Sequence, residues 1–174
     1  MTRTAIPTLR TERLTLRAPG PQDFEVFAAF FASDRSKHVG GPVPAEQSWR
    51  MLATELGHWD LVGYGRWAVE ETATGAFCGI IGLWNPAGWP EPEVGWDLMN
   101  GFEGKGYATE AGRAALDYAF QTLHWPTAVS LVAPENHSSR KVAQRLGAVA
   151  DGRFMHERHG PLDIWRYPTP GATS

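Results

Sequence analysis

The chain has 174 residues, 43% of them hydrophobic, enough for one domain with a buried core and a pocket. Its formal net charge is −3, with acids and bases interspersed and no long basic run, which argues against wholesale nucleic-acid binding and for a substrate carrying positive charge. The opening MTRTAIPTLR lacks the apolar core of a signal peptide, no stretch reaches the apolar length of a membrane span, and Cys78 is the single cysteine. A cytoplasmic protein without an intramolecular disulfide is therefore expected.

Residues 11–18, TERLTLRA, alternate Leu14 and Leu16 with Arg13, Thr15 and Arg17, the period of a half-buried first strand. Gln22 to Ser33 carries Phe24, Phe27, Phe30 and Phe31 at helical spacing, with Pro21 just before it. A second helix is predicted over Ala45 to Trp59, with Trp49, Leu52, Leu56 and Trp59 at three- and four-residue steps. The runs GRWAVEE, GAFCGIIGLW and PEVGWDLM, separated by clusters of Gly, Pro and Thr, predict a three-stranded antiparallel meander in which Cys78 is a buried strand residue.

From Gly104 to Leu123 the period turns helical, with Ala108, Ala111, Ala115 and Ala119 on one face, until Pro126 forbids continuation. AVSLVA follows as a strand, Ser138 to Leu146 as a short helix ended by Gly147, and GRFMHERHGPLDIWRYP as two strands around His159-Gly160-Pro161. The order is βααβββαβαββ, an α/β domain with a mixed sheet of about seven strands and four helices over 1–174, with 168–174 expected as a disordered tail.

The stretch GKGYATEA, Gly104 to Ala111, places glycines directly before a helix start, where unpaired N–H groups and a positive dipole end favour an anion. A P-loop would need Ser or Thr after Lys105, and a dinucleotide fingerprint would need Gly or Ala at 109; the chain has Gly106 and Thr109. A plain helix-entry turn with glycine for tight packing fits the local sequence equally well.

EVGWDLMNGFEGKGYATEAGRAALDYAF and PENHSSRKVAQRLGAV, together with TERLTLRA and GAFCGIIGLW, resemble the GCN5-related N-acetyltransferase (GNAT) superfamily, in particular its RimJ/RimL-like protein-alanine acetyltransferase branch. The resemblance covers nearly the whole chain and implies a mostly antiparallel twisted sheet that binds acetyl coenzyme A. In that family the loop Q/R-x-x-G-x-G/A holds the pyrophosphate with backbone amides, which assigns Gly104, Lys105, Gly106, Tyr107, Ala108 and Thr109 to cofactor binding here. Glu103 stands where the family has Gln or Arg, so its carboxylate must point away or cost affinity. The resemblance also implies that the strands near 94–99 and 128–132 splay apart, with pantetheine pairing to backbone around Leu98 and Met99. Arg140 and Lys141 could add charge near the phosphates; a solvated basic face explains them equally well.

For the chemistry, the family's N-x-x-S pattern implies Asn136 at pantetheine and Ser139 at the thioester sulfur, although locally the two also read as a helix N-cap and a first-turn residue. The tyrosine that many acetyltransferases carry further along this helix is replaced by Ala143. Glu93, aligned with the family's E-I-G-Y stretch, and Glu157, in the penultimate predicted strand, are the two candidate bases, Glu93 being preferred. His156-x-x-His159 reads as exposed turn residues, and no metal is expected. Trp49, Trp59, Trp84, Trp89 and Trp96 are expected near the acceptor groove, and Trp67, Trp125 and Trp165 in the core or at an edge.

Three functions follow from this reading. The first is an N-acetyltransferase acting on a protein or peptide N-terminal α-amine by direct attack in a ternary complex. The second is a small-molecule amine acetyltransferase using a polyamine, amino acid or aminoglycoside, and the third a non-catalytic acyl-CoA-binding sensor. Homodimers are common in the family, and the sequence identifies no interface.

Overall fold

The structure is a computed structural model and describes residues 4–171. Its elements in chain order are β1 (Leu9–Arg10), β2 (Leu14–Arg17), α1 (Phe24–Ala32), α2 (Ala45–Val62), β3 (Arg66–Glu71), β4 (Phe77–Trp84), β5 (Glu93–Leu98), α3 (Tyr107–Asp117), β6 (Ala128–Val132), α4 (His137–Arg145), β7 (Val149–His156) and β8 (Gly160–Tyr167). They form one eight-stranded sheet in the order β1-β2-β3-β4-β5-β6-β8-β7. This is the expected mixed, mostly antiparallel architecture, with the two-residue β1 added at one edge.

Every neighbouring pair is antiparallel except β5 and β6, which run parallel and share a single register pair, Glu93 with Val129. Beyond that pair the two strands separate, so the sheet opens where the sequence reading expects a splay. Cross-strand register sorts the side chains into two faces. Arg66, Gly82 and Gly95 are opposite one another, as are Ala68, Ile80 and Asp97, and Trp84 opposes Glu93. Trp67, Ile81 and Trp96 form the alternating row on the other face.

The aromatic helix α1 and the long α2 cover the first face: Phe27, Phe30, Phe31 and Leu52 pack with Ala68, Ile80 and Met99. Helices α3 and α4 cover the second. There Ala111, Ala115, Ala143 and Leu146 pack against Trp67, Ile81, Leu83 and Val94, the small alanines letting helix backbone lie close to the sheet. Cys78 is buried in the same cluster, and burial pushes its thiol up to about 12, the property of an inert core residue.

Several local expectations are adjusted. The third helix starts at Tyr107, because Gly104 and Gly106 have φ of 77° and 81°; its predicted last turn widens to π geometry over Tyr118–Thr122. Thr15 is buried rather than solvent-facing, its hydroxyl within 2.9 Å of the Thr72 hydroxyl. Trp59 is core, 1% exposed, with its indole N–H donating to the Arg66 carbonyl at 2.9 Å, and Trp49 is 53% exposed, packed edge-on against Phe24. Within the expected tail, the Thr169 hydroxyl donates to the Pro126 carbonyl (2.8 Å); residues 172–174 lie outside the described residues.

Candidate active site at the split sheet

The opening between β5 and β6 is held by side chains in place of a strand ladder. Glu93 accepts the Leu131 N–H at 2.8 Å with Oε2 and the Trp89 indole N–H at 2.9 Å with Oε1. The Ser130 hydroxyl lies 2.5 Å from the Val94 carbonyl and 2.6 Å from the Tyr167 hydroxyl. Backbone groups freed by the splay thus keep partners, as buried polar groups must. Burial raises the Glu93 carboxyl to about 7, against the opposing pull of the Leu131 and Trp89 donors.

Glu93 lines a cavity of about 1120 Å³ that runs through the split, so that Trp84, Trp89 and Asp97 from one face and Asn136 and Ser139 from α4 share one space. At the α4 end, Asn136 caps the helix, its Oδ1 accepting the Ser139 N–H at 3.2 Å, and the Ser139 hydroxyl accepts the Trp96 indole N–H at 3.3 Å. Ala143, in the position of the family's tyrosine, is fully buried in the core. Glu157 is not in a strand: β7 ends at His156, and Glu157 sits exposed in the following turn at the cavity's edge.

The cavity floor holds a group that the sequence reading missed. Arg66 on β3 pairs with Glu55 on α2 and with Asp97 on β5 (2.7 Å to Oδ2), all three side chains largely buried, and Trp84 lies 4.9 Å from the guanidinium. Burial opposes the charge on Arg66, but the two carboxylates outweigh it and keep the guanidinium protonated. A signal existed: Glu55 stands three residues after Leu52 on the buried stripe of α2, where a charge requires a partner. Trp89 packs against both His156 and His159, whose rings are 4.7 Å apart; burial, then His156 and Arg158, lowers the His159 pKa. Among the described residues no group of three or more His, Cys, Asp or Glu is arranged to hold a metal ion.

The glycine turn lies at the start of α3, after the end of β5. The helix's first backbone bond runs from the Glu110 N–H to the Gly106 carbonyl (3.0 Å), leaving the earlier amides outside the intrahelical ladder. A Cβ on Gly104 would meet nothing within 4 Å, so that side of the turn is open. Tyr107 and Ala108 turn their side chains into the core, while Gly104, Lys105 and Gly106 are exposed. Glu103 is paired with Arg35 (3.2 Å), which also donates to the Leu98 carbonyl (3.0 Å). The acid is thereby held by a cation of α1's following turn. Met99 is buried, its N–H committed to the Cys78 carbonyl at 3.0 Å, and Leu98 is half-buried beside the splay. Arg140 is close to His137, 2.6 Å from Nδ1, in the first turn of α4.

The fold thus combines a split sheet, a glycine turn feeding a helix N-terminus and a buried carboxylate in the cavity at the split. Residues 13–149 match the family described as Acetyltransferase (GNAT) domain, and the chain belongs to that family. An acetyltransferase from Agrobacterium tumefaciens str. C58 superposes with a TM-score of 0.87 at 41% identity, covering 97% of this chain and 98% of that one. A ribosomal L7/L12 α-N-protein acetyltransferase (RimL) in complex with coenzyme A shares the fold, with a TM-score of 0.74 at 13% identity over 92% and 97% of the two chains. The spermidine N(1)-acetyltransferase of Escherichia coli K12 is 36% identical over 56 residues, 32% of this chain and 30% of that one. The chain spans about half, 52%, of the first curated relative it matches and 36% of the second.

GNAT acetyltransferases use acetyl-CoA as donor, and the turn and splay fit it: two left-handed glycines open the backbone toward a ligand, and the β5–β6 gap offers a slot for an extended chain. Among the described residues no helix is long and apolar enough to cross a membrane.

Proposed function

We propose that this chain is a cytoplasmic, single-domain enzyme of the RimJ/RimL-like branch that acetylates the α-amine of a protein or peptide N-terminus. The observation that carries this reading is Glu93, a buried carboxyl raised to about 7 on the wall of an open cavity. A base of that strength is matched to an α-ammonium, whose pKa is about 7.7–8.0; removing its proton to Glu93 costs about 1 kcal/mol, whereas a lysine-type ammonium near 10.4 costs about 4–5 kcal/mol.

In this reading Gly104 to Thr109 hold the pyrophosphate, and Leu98, Met99 and Asn136 flank pantetheine, with Arg140 adding charge. Bound acetyl-CoA supplies the thioester. Glu93 takes the proton that the amine loses as its nitrogen bonds to the acetyl carbon. Ser139, held by Trp96, offers its hydroxyl to the sulfur that leaves. Glu157 is the second candidate base, less suited because it is exposed.

A second reading, a polyamine acceptor, is favoured by Glu93 and the Glu55–Arg66–Asp97 cluster, which together bring three carboxyl groups and one cation to the cavity, and by the similarity over 56 residues to a spermidine acetyltransferase. The deciding experiment follows thiol release from acetyl-CoA with pooled N-terminal peptides in one set of wells and polyamines, amino acids and aminoglycosides in another. Release in the peptide wells alone supports the first reading. Release only with small amines replaces it, and silence with coenzyme A binding intact points to an acyl-CoA sensor.

A further inference from the structure

The glycine turn is built to be pliable, which raises the question of what holds its amides in one orientation. The peptide joining Lys105 to Gly106 sits next to a glycine at φ 81°, and glycine tolerates positive and negative φ about equally. That peptide can therefore flip at low cost. In a planar trans peptide the carbonyl and the following N–H point in opposite directions, so one orientation presents the Gly106 N–H to an anion and the other presents a repelling carbonyl oxygen.

Arg13, in the turn between β1 and β2, makes the contact that selects between them. Its Nη1 donates to the Lys105 carbonyl at 2.9 Å, directing the Gly106 N–H away from the guanidinium. The arginine is itself fixed by Glu110, which Thr11 holds in turn. Its Nε donates to Glu110 Oε2 at 2.7 Å, and its backbone N–H donates to Glu110 Oε1 at 2.8 Å. The Thr11 hydroxyl donates to the same Oε1 at 2.6 Å. The guanidinium also lies 4.8 Å from the Tyr107 ring, whose hydroxyl donates to Glu71 at 2.6 Å. Nη2 sits 3.4 Å from the point a Gly106 Cβ would occupy, alongside the turn.

We propose that Arg13 is a positioning residue for coenzyme A: it locks the Lys105–Gly106 peptide so that the turn presents amides, not a carbonyl, to the pyrophosphate. Glu110, reading out from the first turn of α3, aligns Arg13 and returns the helix end to the β1–β2 turn. A lysine cannot replace this arrangement, because a single ammonium lacks the planar fork that spans Glu110 and the Lys105 carbonyl.

The inference rests on the reading of the turn as the pyrophosphate site, and a double-mutant cycle read by coenzyme A titration separates the two. Arg13→Gln should weaken coenzyme A by about tenfold, the loss of one charge-assisted hydrogen bond. In a Gly106→Ala background, where the turn is already displaced, the same change should cost less than about twofold. Arg13→Lys should recover only part of the affinity, and thermal unfolding without ligand should show all variants folded. Unchanged affinity in Arg13→Gln, equal losses in both backgrounds, or full recovery by lysine would overturn the positioning role. Coenzyme A affinity unaltered by Gly106→Ala alone would instead remove the pyrophosphate reading, and the inference with it.

Discussion

The indole N–H of Trp89 donates to Glu93 Oε1 at 2.9 Å, so the loop between β4 and β5 holds the carboxylate that stands at the split in the sheet. A tight turn, closed by the Trp89 N–H on the Pro86 carbonyl with Gly88 at φ 90°, fixes where that indole points. The donor stabilises the ionised carboxylate and so opposes the upward push of burial. Removing it in Trp89→Phe should raise the Glu93 pKa and move the acid limb of kcat/KM from near pH 7 upward by about one unit, with the plateau retained. Asp97 on the same strand, Arg66 on β3, the Tyr167 hydroxyl on β8, and His156 and His159 against the indole also face this group. Glu93→Gln should therefore abolish the limb and lower the rate by about 10²–10⁴, while His156→Asn and His159→Asn keep the limb. A limb that survives Glu93→Gln assigns the base elsewhere.

Arg66→Met leaves Glu55 and Asp97 buried beside each other without their cation. Urea unfolding at pH 7 should show a loss of about 3–5 kcal/mol, the typical consequence of breaking a buried ion pair from one side. Protonation of the stranded carboxylates relieves their repulsion, so the deficit relative to the native chain should shrink as pH falls toward 4. A deficit independent of pH would mean that packing, not charge, accounts for the loss.

Gly104→Ala tests strain without a clash, since its Cβ would face open space while φ stays at 77°. A left-handed alanine costs about 1–2 kcal/mol, which should lower Tm by about 2–8 °C for a chain of this size. Coenzyme A affinity should fall as well, because relaxing the strain moves the amides. A stabilised variant would show that the turn readily adopts another conformation.

Ser139→Ala and Glu157→Gln should separate proximity from function. Coenzyme A leaves tolerably as a thiolate, with a thiol pKa near 8.5, so Ser139→Ala should slow transfer by less than about tenfold and leave coenzyme A affinity within about twofold. Glu157→Gln should change kcat by less than about twofold, given its exposed place in the β7–β8 turn. An inactive Glu157→Gln protein with coenzyme A still bound would transfer the base assignment to that turn.

Much of the fold was legible because its signals are local. Leu14 and Leu16 announce a strand by alternation, the α1 phenylalanines and the α3 alanines announce helices by spacing, and Gly147 at φ 92° ends α4 as its position foretold. Local geometry was legible where a residue's backbone neighbourhood sets it: Gly104 and Gly106 adopt positive φ ahead of α3, and Asn136 caps α4. It was not legible for Trp49 and Trp59: both sit on the same helical stripe, but only Trp59 reaches over β3, where the Arg66 carbonyl accepts its N–H. Glu157 was misplaced by a residue or two, enough to move it from strand to turn.

The sequence by itself determined the order of elements, the glycine turn and the presence of Glu93 on the strand before it, because periodicity, φ preference and chain connectivity act between near neighbours. Only the tertiary structure decided that Glu103 meets Arg35, that Glu55, Arg66 and Asp97 converge from three elements, and that Arg13 reaches the Lys105 carbonyl across 92 residues of chain. Those contacts depend on strand register and on which face each strand turns toward the helices, quantities set by packing the whole sheet at once.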